Sequence, residues 1–371
     1  RGDGEVVGIA VAVEGWSGYF PIAHEGGGNM DRALVLDWFE ELLHNTATKI
    51  FHNAMYDVSW IRSMGFSING GIVDTMVAAS LCNENRWSFT LDSVAKDYIG
   101  MRKKEKLLQD AAKEWGINPK AEMWRLPAPF VGEYAEKDAE ITLKLYHALQ
   151  HEITKQDLWD VFNMETNLFP CLVDMKFKGV RVDVAKAHAV KTQLTTQEGK
   201  LLRDIKKMAG FDVEIWAAAS IAKAFEKSNL PYDRTDKGAP SFTKNFLATH
   251  PHELPKLINQ AREINKANTT FIDTILKHEH KGRIHSDINQ IRSDDGGTVT
   301  GRFSYSNPNL QQIPARHKEL GPLIRSLFVP EEGHKWGCFD YSQQEPRILV
   351  HFASLMKLEG TGTIVDAYKD G

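Results

Sequence analysis

Three cysteines in 371 residues, Cys82, Cys171 and Cys338, stand far apart along the chain. They make neither a paired disulfide set nor a metal-type Cys pair. Three reduced thiols in a cytosolic protein is the expectation. No apolar run is long enough to span a bilayer, and no secretory signal opens the chain, so no membrane partner is expected. Internal repeats and low-complexity tracts are absent. So is any excess of basic charge: the formal net charge is −4. That balance does not advertise a nucleic-acid binder, although nuclease sites are themselves acidic and a basic groove can be local. An initiating methionine is missing too; the chain starts at Arg1, and we expect a fragment. What remains is ordinary globular composition, 42% hydrophobic and 25% charged. At about 150 residues each, two or three domains fit.

Residues 6–13 are a strand-like apolar run, 14–18 a turn and 19–23 a partner strand. Residues 49–52 read as another short strand, leading into a helix that starts near Asn53. Alternating strands and helices argue for an α/β domain. Asn53 and Asp57 sit four apart and share a helix face. Tyr134 and Asp138 have the same spacing, and Ile141, Leu143 and Leu145 continue a helical apolar pattern after them. Such groups suit two-metal phosphodiester hydrolysis. Hard magnesium ions take oxygen ligands. A pair of ions about 3.5–4 Å apart activates water and stabilises the departing oxygen. A tyrosine beside the water orients it. Taken singly, each pair is as readily a capped or solvated helix face.

The pattern loosens over 151–157, where the first boundary is placed. Residues 168–179 read as a helix closed by Gly179. A short strand over 180–183 follows, with Asp183 capping a helix over 184–208. Ser220 and Ser241 each look like the capped start of a further helix, with a loop over 236–240 between them. A single long helix over 254–278 carries Arg262, Lys266, Asn268 and Thr269. Residues 283–288 alternate like a strand, and Asp294-Asp295-Gly296-Gly297 is a turn signal. A calcium loop there lacks the twelve-residue ligand pattern and is set aside.

Near the end, an apolar run over 336–339 reads as a strand that stops at Asp340. A polar turn follows, and Pro346 opens an amphipathic helix, a place where proline costs no amide hydrogen bond. A lone carboxylate at a strand end is more often a cap. Asp340, however, belongs to Asp340-Tyr341-Ser342-Gln343-Gln344-Glu345-Pro346-Arg347. Upstream stands Thr300-Gly301-Arg302-Phe303-Ser304-Tyr305-Ser306-Asn307-Pro308-Asn309-Leu310-Gln311-Gln312-Ile313-Pro314. The two resemble signature segments of A-family DNA polymerases, DYSQxExR and TGRxSxSxPNLQ, in the right order. The pairs Asn53/Asp57 and Tyr134/Asp138, with Asp74-Thr75 and Leu91-Asp92-Ser93-Val94-Ala95 between them, look like the later motifs of a DEDD-type 3′–5′ exonuclease domain.

The resemblance implies a multidomain α/β and α+β fold. An RNase H-like DEDD exonuclease domain spans 1–150, a helical thumb with connecting helices 151–282, and the first part of an antiparallel-sheet palm 283–371. It implies templated DNA synthesis with 3′–5′ proofreading, in a bacterial or phage-infected cell. Asp340 and the Tyr341 carbonyl hold metal, and Asp340 and Glu345 are catalytic. Glu345 crowds the sugar 2′ position; Gln343, Glu345 and Arg347 form the nucleotide side, with Arg347 supporting the palm through an ion pair. Arg302, Asn309, Gln311, Gln312 and Lys266 meet DNA. The minor groove offers similar acceptors on every pair, so polar side chains there check shape without choosing a base. In the exonuclease, Asp57 and Asp138 ligate metal, Tyr134 positions the water and Asn53 supports. Two Mg2+ ions at each site, primer-template DNA, deoxynucleoside triphosphates and a processivity partner complete the implied set.

Three departures qualify this. Gln344 and Pro346 differ from the commonest bacterial pattern and look more phage-like. The first exonuclease motif, D-x-E on a strand, is not seen; Asp3-Gly4-Glu5 has its letters without a preceding apolar strand and reads as a chance match. The chain ends where the fingers would begin. We expect the parent enzyme to polymerise and this fragment to be inactive. A stand-alone exonuclease is the alternative, but the Thr300 and Asp340 segments do not fit it. A non-catalytic nucleic-acid-binding protein is the third reading.

Overall fold

The structure is a computed structural model and describes residues 4–294, 296–315 and 317–369. Asp3 of the chance match, Asp295 of the turn signal, and Asp370 and Gly371 at the chain end lie outside them. The chain forms two compact units, Arg1–Val329 and Pro330–Gly371.

The larger unit opens with a hairpin, β1 (Gly8–Val13) against β2 (Trp16–Pro21), in register from Gly8↔Pro21 to Val13↔Trp16. Only Glu14 and Gly15 connect them. A two-residue hairpin loop needs positive φ, which Gly15 supplies at 78°. The partner strand therefore starts at Trp16, ahead of the expected 19–23. Helix α1 (Arg32–His44) buries Val35, Phe39 and Leu43 along one face against Ile9, Ile22 and Ile61. Strands β3 (Lys49–Phe51) and β4 (Ile72–Asp74) pair in parallel, with α2 (Ala54–Ser63) as their crossover. Then come α3 (Thr75–Cys82), α4 (Leu91–Ile99), α5 (Lys106–Trp115), a 3-10 turn at Met123–Arg125 and the long α6 (Pro129–Lys155). Ile141, Leu145, Leu149 and Ile153 of α6 recur every fourth residue and are fully buried. That stripe is the spine of a core shared with Val77, Ala78, Phe89 and Val94.

Helix α7 (Trp159–Lys178) begins well before the expected residue 168 and runs through Pro170. Proline removes one helical amide bond. The buried face holds the helix together regardless, because Phe169 and Val173 pack on Ala54 and Val58 of α2. Gly179 ends it at φ 63°, and a Cβ there would lie 2.6 Å from the Ile284 carbonyl oxygen. After β5 (Val180–Arg181), Asp183 caps α8 (Val184–Ala209) by accepting from the Lys186 amide.

Helix α9 (Ala218–Lys227) starts before Ser220, so that residue is not its cap. The Ser220 hydroxyl instead accepts from the Glu214 amide at 3.0 Å. The hairpin β6 (Asp233–Arg234) and β7 (Pro240–Ser241) leads to α10 (Lys244–Thr249), capped by Thr243 rather than Ser241. A separate aromatic core gathers Phe225, Phe242, Leu247 and Ile258.

The expected helix over 254–278 is three pieces: α11 (Glu253–Lys266), a π-helical turn at Ala267–Ile272, and α12 (Asp273–His278). Within the turn Asn268 is buried and donates to Thr195 Oγ1 at 3.0 Å. The expected strand over 283–288 also divides. Strand β8 (Glu279–His280) pairs with β9 (Arg283–Ile284), which pairs in turn with β5, whereas β10 (Asp287–Asn289) pairs with β11 (Ser304–Ser306). His285 Nδ1 meets the Lys176 carbonyl at 2.9 Å at the break. A 3-10 turn at Leu310–Gln312 and α13 (Leu320–Arg325) complete this unit.

The smaller unit carries α14 (Gln344–Leu355) and α15 (Thr361–Lys369). The expected strand over 336–339 is absent; those residues carry no regular secondary structure. A strand is defined by its partner, and the described residues of this unit include no other strand. Asp340 therefore ends an irregular segment and not a sheet edge.

Leu145→Ala should lower stability by about 3 kcal/mol through the cavity it leaves, read as a fall in the urea midpoint. Leu34→Ala, at a position 67% exposed, should leave the midpoint in place.

Candidate functional site

The parallel pair β3/β4 sets the first site. Its register places Phe51 opposite Asp74, so His52 and Asp74 leave the sheet side by side. The carboxyl ends of parallel strands are where α/β folds bind ligands. Asp74 is buried. It accepts from the amides of Asn53 at 3.0 Å, Ala54 at 2.8 Å and Met76 at 2.8 Å. One side chain thus ties the starts of α2 and α3 together. Burial pushes the Asp74 pKa up, while His52 and these amides pull it down. Asn53 takes a left-handed conformation, φ 66°, to bring its amide there. It precedes α2 and does not share a helix face with Asp57, which corrects the spacing argument.

His52 donates from Nε2 to the Phe89 carbonyl at 2.9 Å, and its Nδ1 faces the Thr75 hydroxyl at 2.8 Å. Burial lowers its pKa, against the charge of Asp74, which raises it. Asp57 lies one turn into α2. Burial first, and the Asp74 charge second, raise its pKa to about 7.

Tyr134 and Asp138 do share a face of α6, one turn apart. Lys103 reaches them from the loop before α5. Its Nζ lies 2.6 Å from Asp138 Oδ2, 3.5 Å from the Tyr134 hydroxyl and 5.2 Å from the centre of that ring. Asp138 Oδ1 is buried and has no hydrogen-bond partner. Burial raises the Asp138 pKa and Lys103 opposes it. Burial, then Asp138, keeps Tyr134 a neutral phenol. His52 feels the charges of Asp74, Lys103 and Asp138 together and so joins the two halves. Among the described residues no hydrogen bond links Asp57 with Asp138.

His52, Asp74 and Lys103 are the site residues that reading the sequence missed. Asp74-Thr75 is visible as a motif but has no assigned role there. The sequence offers no signal to separate Lys103 from Arg102 and Lys104 beside it.

Carboxylates suit a hard divalent ion, and an orphaned buried oxygen on Asp138 is what such an ion would satisfy. The set is nevertheless incomplete. Asp74 spends its oxygens on amides and Asp138 Oδ2 holds a lysine. Among the described residues no group of three or more His, Cys, Asp or Glu could hold a metal ion. The residues present do not by themselves fit one.

The Thr300–Pro314 segment is held by strand pairing with β10 and by contacts of its own. Asn309 Oδ1 accepts from the Gln311 amide at 3.0 Å, and Gln311 Nε2 donates to the Phe303 carbonyl at 3.1 Å. Thr298 Oγ1 donates to the Arg302 carbonyl at 2.8 Å. Arg302 and Gln312 are exposed, as is Lys266 at the end of α11. Arg262 of that helix points inward, donating to the carbonyls of Ile215 and Phe242. In the smaller unit Gln343, at φ 52°, precedes α14 without capping it by a side-chain hydrogen bond, and Glu345 lies in the first turn. Arg347 donates to the carbonyls of Ser342 and Tyr368, both at 3.0 Å, and stacks 4.7 Å over the Tyr368 ring.

Residues 6–154 match the family model described as 3′–5′ exonuclease, and residues 184–361 match that of DNA polymerase family A. A "DNA-directed DNA polymerase" of Pseudomonas phage M6 is 35% identical over 96% of this chain and 56% of its own length. "DNA polymerase DpoZ" of Salmonella phage PMBT28 is 32% identical over 98% of this chain and 60% of its own length. "DNA polymerase I" of Pseudomonas aeruginosa is 31% identical over 94% and 39%. The POL domain of Pol1 from M. smegmatis, solved in complex with DNA primer-template and dNTP, superposes with a TM-score of 0.72 at 22% identity, covering 94% of this chain and 56% of that one. These matches describe a nucleic-acid polymerase segment joined to an exonuclease domain. The chain belongs to the A family of DNA polymerases, and it spans little more than half the length of its phage relatives. No helix among the described residues is long and apolar enough to cross a membrane.

The Asp57 shift carries a sign. Its folded pKa, about 7, lies above the ordinary 3.8, so its stabilisation is full below about pH 4 and lost as pH rises through about 7. Asp57→Asn should match the wild type near about pH 4 and exceed it by about 2 kcal/mol near about pH 8, the full shift being discounted for partial exposure. Denaturation at the two pH values in a metal chelator reads this directly.

Proposed function

We propose that the protein containing this chain is a DNA-directed DNA polymerase with 3′–5′ proofreading activity. The observation that carries it is the succession, in one chain, of an exonuclease match over 6–154 and a family A match over 184–361. Primer-template DNA and deoxynucleoside triphosphates are the partners this reading requires, and a processivity partner is the further one. We take 1–150 as the exonuclease domain, 151–282 as the thumb with its connecting helices, and 283–371 as the start of the palm.

Asp340 is the carboxylate we assign to the polymerase site, with the Tyr341 carbonyl beside it and Glu345 and Gln343 at the nucleotide sugar. Arg347 supports them by tying α14 to α15. Arg302, Asn309, Gln311, Gln312 and Lys266 are assigned to DNA, where contacts to phosphate and to the minor groove fix position without reading sequence. Magnesium is the proposed ion, two at each site once donors beyond the described residues join. It would supply charge neutralisation and an activated nucleophile.

At the exonuclease site Asp57 and Asp138 are the proposed acidic donors and Tyr134 the phenol that orients water. Asn53 supports through its backbone, whose strained conformation delivers its amide to Asp74. Tyr134 stays protonated and so can donate a hydrogen bond to water or phosphate.

In the full-length parent, Asp340→Ala should reduce primer extension by about 10³-fold, the scale of losing a preorganised charge, while end-labelled single-stranded DNA is still trimmed. Asp138→Ala should do the reverse. Extension by Asp340→Ala at the wild-type rate would overturn the assignment.

A further inference from the structure

We propose that Trp87 is a stacking platform for an unpaired base of the strand that the exonuclease site receives. The inference rests on the exonuclease reading of residues 6–154 and deepens it, by naming a residue that holds single-stranded DNA there.

Trp87 lies in the loop over 83–90 that joins α3 to α4. It is 97% exposed, more than any other large hydrophobic side chain described in the larger unit. Other exposed tryptophans of this unit have company: Trp16 meets Phe20, Trp115 meets Phe130 and Trp216 meets Arg262. Among the described residues Trp87 has no ring, cation or hydrogen-bond partner. A single exposed apolar side chain on a loose loop needs no explanation. A bare indole on a rigid loop is different, because it is a contact surface held ready.

The loop under this indole is held at both ends. Arg86, whose side chain is nearly buried, donates to Asp97 Oδ2 at 2.8 Å and to Ser93 Oγ at 3.3 Å, and lies over the Tyr98 ring. Two residues after Trp87, Phe89 is buried in the core with Val94 and Ile291. Its amide donates to Asp294 Oδ2 at 2.7 Å, and Arg292 donates to the Glu84 carbonyl at 3.2 Å. A ring fixed in advance loses little freedom when a base stacks on it. Its location decides the occupant. The Phe89 carbonyl is the one His52 meets at 2.9 Å, so Trp87 stands no more than about 7 Å of chain from that contact. Asp294 in turn leads into the Thr300–Pro314 segment assigned to DNA. A strand that leaves its duplex for the exonuclease site bares its base faces, and an aromatic ring accepts any of them. A base still paired is already stacked and gains nothing.

The test is binding of short dye-labelled strands to this chain in EDTA at one fixed salt concentration, read by fluorescence anisotropy. The probes are oligothymidylate, the same sugar-phosphate strand without bases, and a blunt duplex. Trp87→Ala should bind the thymine strand about 10-fold more weakly than the wild type, the scale of one lost base–aromatic stack. The baseless strand and the duplex should bind both proteins alike. Trp87→Phe should keep most of the wild-type affinity, because a ring remains. Trp87→Ala should melt with the wild type, because the indole buries nothing. In the full-length parent the same variant should raise KM for trimming by that factor and leave kcat unchanged. Wild-type affinity of Trp87→Ala for the thymine strand would overturn the proposal and leave the indole to a protein partner. An equal loss on the baseless strand, or a lowered melting temperature, would overturn it too, since the indole would then serve the backbone or the fold. The exonuclease reading fails separately: base-dependent binding through Trp87 with no trimming by the parent enzyme would keep the stack and remove the nuclease.

Discussion

The Asp74 carboxylate is buried, and three backbone amides from two different helix starts converge on it. A buried charge without partners is intolerable, and one with three amide donors is a fixed point. From that point the chain leaves β3 through a left-handed Asn53, enters α2, returns through β4 and turns directly into α3. The positions of His52 and Asp57 follow from this one knot. So does the packing of α2 on α7, because Ala54, whose amide is held by Asp74, also lies in the apolar contact with Phe169 and Val173.

Against this fixed point the other half of the site is brought by a long helix. The buried stripe of α6 sets its rotation, and rotation decides that Tyr134 and Asp138 face the loop carrying Lys103. The acidic groups of the site are thereby kept in a low-dielectric setting with few compensating cations. Their raised pKa values are the electrical expression of that shortage. An overall charge of −4 says nothing about it, since the field that matters is made by four or five groups.

The polymerase segments obey a different constraint. Outside β11 and the 3-10 turn, residues 298–312 are irregular, so their backbone polar groups must find partners locally. Asn309, Gln311 and Thr298 supply several from within the segment itself. The polar side chains that the resemblance assigns to DNA thus also hold their own loop. Arg262 is a sharper case: carried on a helix, it points inward to two carbonyls and stacks on Trp216.

Much of this was written in local sequence. Long signature segments name the family, and helices with strong four-residue apolar steps, α6 and α8 above all, are plain because a helix carries its own hydrogen bonds. Caps such as Asp183 are equally local. What the sequence could not settle is whatever needs a distant partner. An apolar run over 336–339 is a strand only if another strand lies beside it, and none does among the described residues of its unit. Residues 283–288 look like one strand and serve two sheets. Asn53 looks helical and is not, because Asp74, twenty-one residues on, claims its amide. Lys103 looks like any exposed lysine until the fold lays it on a carboxylate thirty-five residues away. Local spacing determined the elements and the family; long-range electrostatics and strand pairing, which exist only in three dimensions, decided the site.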